Sequence, residues 1–271
     1  MSFATVEKDI VYGDAGNRPL RLDLYRPVEG DGPWPVILWI HGGAWRQGSK
    51  DPPNLQAVDM VKEGYAVASV GYRLTDEAIF PAQIFDCKAA VRWVRAKGRD
   101  YGLDAERLGV WGSSAGGHLV SLLGTSGDVP ELEGHCGHPG FGTRVQAVCD
   151  WFGPSDLIQM GRFPSHMDHD APDSPESQLL GGPVQEMAEA ATLANPITYI
   201  YGDEPPFLIM HGDADMTVPC SQSLLLHQAL TTAGVESTLH LLPGGGHGGA
   251  VFETDAVRSL VVDFFRTHLR P

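Results

Sequence analysis

The sequence predicts an α/β protein built on a mostly parallel eight-stranded sheet with helices on both faces. Three observations lead there. Eight short apolar runs read as strands, amphipathic stretches of helical period separate most of them, and the motifs with chemical character fall just after strands. Strands that alternate with helices need crossover connections, and crossovers cover both faces of a parallel sheet.

The elements follow in order. VEKDIVY and LRLDLY, joined by a DAGN turn, read as an antiparallel pair at one edge. VILWI (36–40) is bounded by prolines before and glycines after. An amphipathic stretch around LQAVDMVKEG (55–64) leads into the strand AVASV (66–70). The segment 81–98 carries Ile84, Cys87, Val91 and Val94 on one helical face, and RLGVWG follows as a strand. A helix is expected to begin within SAGGHLVSLLG, with VQAVCDW (145–151) as the next strand. PFLIMHG, SQSLLLHQALTTAG, STLHLL and TDAVRSLVVDFFRTHL then read as strand, helix, strand and C-terminal helix. Residues 154–199 differ: polar, interrupted by Gly and Pro, and without a strand pattern. They are expected to form a small cap-like insertion near the mouth of a single domain spanning residues 1–271.

Composition narrows the functional classes. The chain has 271 residues, 42% hydrophobic and 20% charged, with a net charge of −15. Such a balance is that of a globular protein and argues against nucleic-acid binding, which wants clustered Lys and Arg. The longest strongly apolar run, WPVILWI (34–40), is too short to cross a bilayer, so no membrane partner is expected. MSFATVEKDI lacks the basic and apolar regions of a signal peptide, which fits a cytoplasmic protein or a mature secreted chain. Cys87, Cys136, Cys149 and Cys220 show no CxxC or CxxxC pairing and read mainly as reduced thiols.

The chemistry is concentrated in four places. Gly112-Ser113-Ser114-Ala115-Gly116 matches the nucleophile elbow G-x-S-x-G, with Ser114 at the tip and Ser113 as its neighbour. Glycines are needed there because a strand reverses into a helix within a few residues. A serine hydroxyl becomes a nucleophile only when a histidine takes its proton and a carboxylate fixes the histidine tautomer. His247, in LPGGGHGG directly after STLHLL, is the candidate base. HGDADMTVP offers two candidate acids, Asp213 and Asp215, and spacing does not choose between them. His41-Gly42-Gly43-Ala44-Trp45 follows VILWI and nearly matches the HGGG oxyanion motif, so the amides of Gly43, Ala44 and Ala115 are the expected oxyanion donors. The order serine, aspartate, histidine along the chain is that of the α/β-hydrolase fold.

Together HGGAW, DCKAAVRWVR, YGLDAERLGVWGSSAGGHL, VQAVCDWFGPSDL, SQLLGG, PPFLIMHGDADMTVP and GGGHG resemble the hormone-sensitive-lipase-related esterases, most closely the BD-FAE-like carbohydrate and feruloyl esterases. The resemblance runs over nearly the whole chain. It implies Asp215, the aspartate before x-x-Val-Pro, as the acid, and a substrate pocket shaped by residues 154–199. One position departs from the lipase-like pattern: Ala44 stands where HGGG has its last glycine, as in related formamidases.

The leading expectation is a serine carboxylesterase acting on short acyl or hydroxycinnamoyl esters, including feruloyl and acetyl groups on polysaccharides. A small amidase or arylformamidase would use the same residues, and an inactive hydrolase fold would serve as a binding module. Trp45, Trp151 and Phe152 are candidate substrate contacts, with core packing as the alternative for the last two. Asp86 and Arg92 read as structural partners. HCGH (135–138) and HMDHD (166–170) lack the paired spacing of a zinc site and read as polar loop residues. No metal or organic cofactor is required.

Overall fold

A computed structural model of the chain describes residues 3–270. Met1, Ser2 and Pro271, which the expected 1–271 span includes, lie outside the described residues. Eight strands form one sheet: β1 (Ala4–Asp14), β2 (Pro19–Pro27), β3 (Trp34–Ile40), β4 (Ala66–Val70), β5 (Leu103–Ser113), β6 (Ala147–Trp151), β7 (Phe207–Gly212) and β8 (Ser237–Leu242). Their spatial order is β1-β2-β4-β3-β5-β6-β7-β8. β2 runs antiparallel to both β1 and β4, and every other pair is parallel. The strand order reverses around β3 and β5, and ligands bind beyond the carboxyl ends of strands at such a point. β3 ends at Ile40, just before His41, and β5 at Ser113, just before Ser114, so the two glycine motifs meet there.

Successive strand residues point to opposite faces, and the core divides accordingly. From β3, Val36, Leu38 and Ile40 join one apolar cluster, and Ile37 and Trp39 join the other. The first cluster is covered by α2 (Ala82–Lys97), α3 (Ala115–Thr125) and α7 (Ser221–Thr232). The second is covered by α1 (Leu55–Asp59) and α8 (Asp255–Leu269). Ile84, Cys87, Val91 and Val94 of α2 are all fully buried, as their spacing predicts.

Asp86 and Arg92 of this helix are paired. The Arg73 guanidinium donates to both oxygens of buried Asp86, from Nη2 at 2.7 Å and from Nε at 2.9 Å. Arg92 donates to the carbonyls of Gly137 and Glu133. Both residues are therefore structural, as expected. The four cysteines are free thiols.

Between β6 and β7 the chain makes only short helices: α4 (Leu157–Met160), α5 (Pro175–Leu180) and α6 (Ala188–Ala194). Asp156 caps α4 by accepting from Ile158 and Gln159, and Ser174 caps α5 by accepting from Ser177.

Candidate active site

Ser114 has φ 55° and ψ −122°, a conformation costly for a residue with a side chain. Backbone hydrogen bonds hold it on both sides. Its N–H donates to Trp151 O at 2.8 Å, and its carbonyl accepts from His118 N–H at 3.0 Å. The flanking glycines explain the motif. A Cβ on Gly116 would overlap the carbonyls of Ile40 and His41, and one on Gly112 would overlap that of Gly116. Only glycine allows β5 to turn into α3 this closely against β3.

His247 lies between Gly246 and Gly248, the latter at φ 84°. Its Nδ1 meets Asp215 Oδ2 at 2.7 Å, and its Nε2 meets Ser114 Oγ at 2.9 Å. A carboxylate can only accept, so Nδ1 carries the proton and Nε2 presents a lone pair to the serine hydroxyl. The side chain of Asp215 is fully buried, and its Oδ1 accepts from the N–H groups of Thr217 and Val218 at 2.8 and 3.0 Å. Burial pushes the acid up, but hydrogen bonds from His211 and His247 outweigh it and hold Asp215 well below the usual carboxylate range.

Asp213, the competing acid, is exposed and accepts from Gly244 N–H at 2.7 Å. It fastens the start of the histidine loop and does not reach the imidazole. The structure therefore brings Ser114, His247 and Asp215 into one hydrogen-bonded line and leaves Ser113 and Asp213 out of it.

Gly43, Ala44 and Trp45 have successive positive φ values of 112°, 55° and 56°. The Gly43 carbonyl accepts from Arg46 and Gln47, closing the turn. The amides of Gly43, Ala44 and Ala115 donate to no group among the described residues. Ala44 and Ala115 border a cavity of about 40 Å³ that starts at Ser114, and Gly43 stands outside that lining. Pro154, Met167, His169, Pro175, Glu176 and Val218 complete most of the wall.

Trp45 reaches this cavity but is 2% exposed, its indole N–H donating to His118 Nδ1 at 3.2 Å. Trp151 packs edge-on against Trp111, and Phe152 lies edge-on to the His247 ring with centroids 4.8 Å apart. Trp151 and Phe152 also line an open cleft of about 540 Å³ with Ser113, Phe252, Asn54 and Arg258.

Three features escaped the sequence. His118, four residues after the candidate nucleophile, links Trp45 to Ala194 O. His211, last but one in β7, sits behind Asp215. His169 of HMDHD is a correction: it is 1% exposed beside Glu176 and not a solvated loop residue, because α5 folds back over it.

A strained serine between β5 and α3, a histidine loop after β8 and an acid after β7 define an α/β-hydrolase. The chain belongs to the BD-FAE family, whose model matches residues 22–230, as the resemblance in its motifs implied. It is similar to a solved truncated form of a carbohydrate esterase from gut microbiota, with a TM-score of 0.90 and 33% identity over 98% of this chain and 96% of that one. A bifunctional GH43-CE protein of Bacteroides eggerthii gives a TM-score of 0.89 and 36% identity, covering 97% of this chain and 35% of that one. Esterase LipQ of Mycobacterium tuberculosis is 32% identical over 97% of this chain and 62% of its own length. The chain spans 49% to 62% of the length of the curated mycobacterial esterases it matches.

Proposed function

We propose that the protein is a serine carboxylesterase that removes short acyl groups through an acyl-enzyme on Ser114. The observation that carries this reading is the continuous line Asp215–His247–Ser114 at 2.7 and 2.9 Å, ending at a small cavity. His247 takes the Ser114 proton as the oxygen attacks the ester carbonyl, then returns it to the leaving alcohol. Buried Asp215 stays ionised and stabilises the imidazolium. The amides of Gly43, Ala44 and Ala115 receive the oxyanion. Water then repeats the sequence on the acyl-enzyme.

Cavity size supports a small acyl group. On a scale where one water needs about 10–15 Å³, a cavity of about 40 Å³ takes an acetyl-sized group. The chain's likeness to an esterase and to a carbohydrate esterase supports ester cleavage. The open cleft floored by Trp151, Phe152 and Phe252 favours one second reading: hydroxycinnamoyl esters whose ring stacks there.

Initial rates on p-nitrophenyl acetate and octanoate, methyl ferulate, acetylated xylan and N-formylkynurenine, with Ser114→Ala as the blank, test both. Serine-dependent turnover of the acetyl esters supports the proposal, and ferulate turnover the second reading. Turnover confined to the formyl amide makes the protein a formamidase. No serine-dependent rate on any of them overturns the enzyme reading.

A further inference from the structure

The wall of the cavity beside Ser114 holds a carboxylate without a donor. Glu176 is 3% exposed, and its buried Oε2 receives no hydrogen bond from any described residue. Its nearest polar neighbour is His169 Nδ1, 3.3 Å from Oε2 and also without a hydrogen-bond partner. Ser165 Oγ lies 3.0 Å from His169 Nε2 and 2.9 Å from Met216 O, which also accepts from His166 N–H at 2.7 Å, so Nε2 has a partner and Nδ1 has none. Buried carboxylates in native proteins are paired or hydrogen-bonded, and leaving one unmet is costly. Here the unmet group borders the same cavity as Ser114, Ala44 and Ala115.

We propose that Glu176 and His169 form a hydroxyl-recognition subsite for the ester bound at Ser114. A substrate O–H entering the cavity donates to Glu176 and lies beside Nδ1, supplying the donor that the folded protein lacks. This rests on the esterase reading of Ser114 and narrows it to esters carrying a free hydroxyl close to the scissile bond. The hydroxyl can belong to a polyol leaving group or to a hydroxyacyl group. Both present the same chemistry to the pair.

The test compares three esters on the wild-type protein: ethyl acetate, with no hydroxyl; glycerol monoacetate, with hydroxyls on the alcohol; and ethyl glycolate, with one on the acyl group. At least one hydroxylated ester should exceed ethyl acetate in kcat/KM by about tenfold or more, the scale of a hydrogen bond to a charged group. Which one does so identifies the source. In Glu176→Gln and Glu176→Leu that ratio should collapse toward one, mostly through KM, whereas a purely structural role would lower all three rates together. Equal rates on all three esters in the wild type, or an unchanged ratio in both variants, overturns the subsite. Absence of any Ser114-dependent rate overturns the esterase reading instead.

Discussion

His211 Nε2 lies 3.2 Å from Asp215 Oδ2, the same oxygen that His247 Nδ1 reaches at 2.7 Å. The two histidines approach one carboxylate. His211 Nε2 also lies 2.8 Å from Val218 O, a group that only accepts, so this nitrogen is protonated and its N–H is shared between carbonyl and carboxylate. Its Nδ1 takes the Ser223 hydroxyl at 2.7 Å. His211 is thus a positioning residue: it fixes both the turn that carries Asp215 and the direction of the acid. Replacing it with Leu is expected to lower kcat by about 10–100-fold with little change in KM, the loss of one bond to a charged group. An unchanged kcat in a folded His211→Leu protein would remove this role.

Substitutions at the two ambiguous pairs separate chemistry from neighbourhood. Ser114→Ala and Asp215→Asn should each cost about 10³-fold or more in kcat. Ser113→Ala and Asp213→Asn should stay within about tenfold, since neither side chain touches the imidazole. Steady-state rates on p-nitrophenyl acetate decide it. Comparable losses at Asp213 and Asp215 would mean that the acid acts through the loop and not through His247.

The centre of the sheet was legible because strands such as β3, β4, β6 and β7 are compact, buried runs set off by turn residues. AVASV matches β4 residue for residue. β5 begins earlier than expected, at Leu103, because Leu103 and Asp104 pair with Trp34 and Pro35 before a register break. LDAER has no alternation that would reveal such pairing. The choice between Asp213 and Asp215 depends on a turn anchored by Gly212 O and the Thr217 and Val218 amides, which motif spacing does not encode. His169 and Glu176 were hidden for another reason. Each belongs to a short, polar, aperiodic piece of 154–199, and only the folding of α5 over the cavity buries them.

Two buried titratable groups near the elbow act in opposite directions on acidification. His118, bonded to Ala194 O and Trp45, is lowered to about 4 because burial disfavours its cation, partly offset by the Ala194 carbonyl. Asp150 is raised to about 6 by burial, although Gly153 N–H and the Ser121 hydroxyl stabilise its anion. Between about pH 6.5 and 4 the unfolded histidine gains a proton that the folded one refuses, which destabilises the fold. Over nearly the same window folded Asp150 gains a proton before its unfolded counterpart, which stabilises it. Each shift is worth about 3 kcal/mol, so the two largely cancel. Asp150→Asn removes the stabilising half. Its stability relative to wild type should therefore fall by about 2 kcal/mol between pH 7.5 and 4.5, read by urea unfolding at both. A difference that stays constant with pH would show that Asp150 titrates normally.

Met167 is expected to set how long an acyl chain the cavity accepts. It is half-buried and shares the wall with Pro154, Pro175 and Val218, of which the two prolines are held by the backbone itself. Among these it is the only long, flexible side chain, so its replacement enlarges the cavity without disturbing a turn. Met167→Ala deletes Cγ, Sδ and Cε, enough for two more methylenes of substrate, and each buried methylene contributes about 0.8 kcal/mol. The ratio of kcat/KM for p-nitrophenyl butyrate over acetate should then rise by about tenfold. The same ratio in wild type and variant would place the acyl chain elsewhere, and the cleft lined by Trp151 and Phe152 would become the acyl site. A variant that loses acetate turnover without gaining butyrate would instead make Met167 part of the support for Ala44 and Ala115, since all three border the same small space.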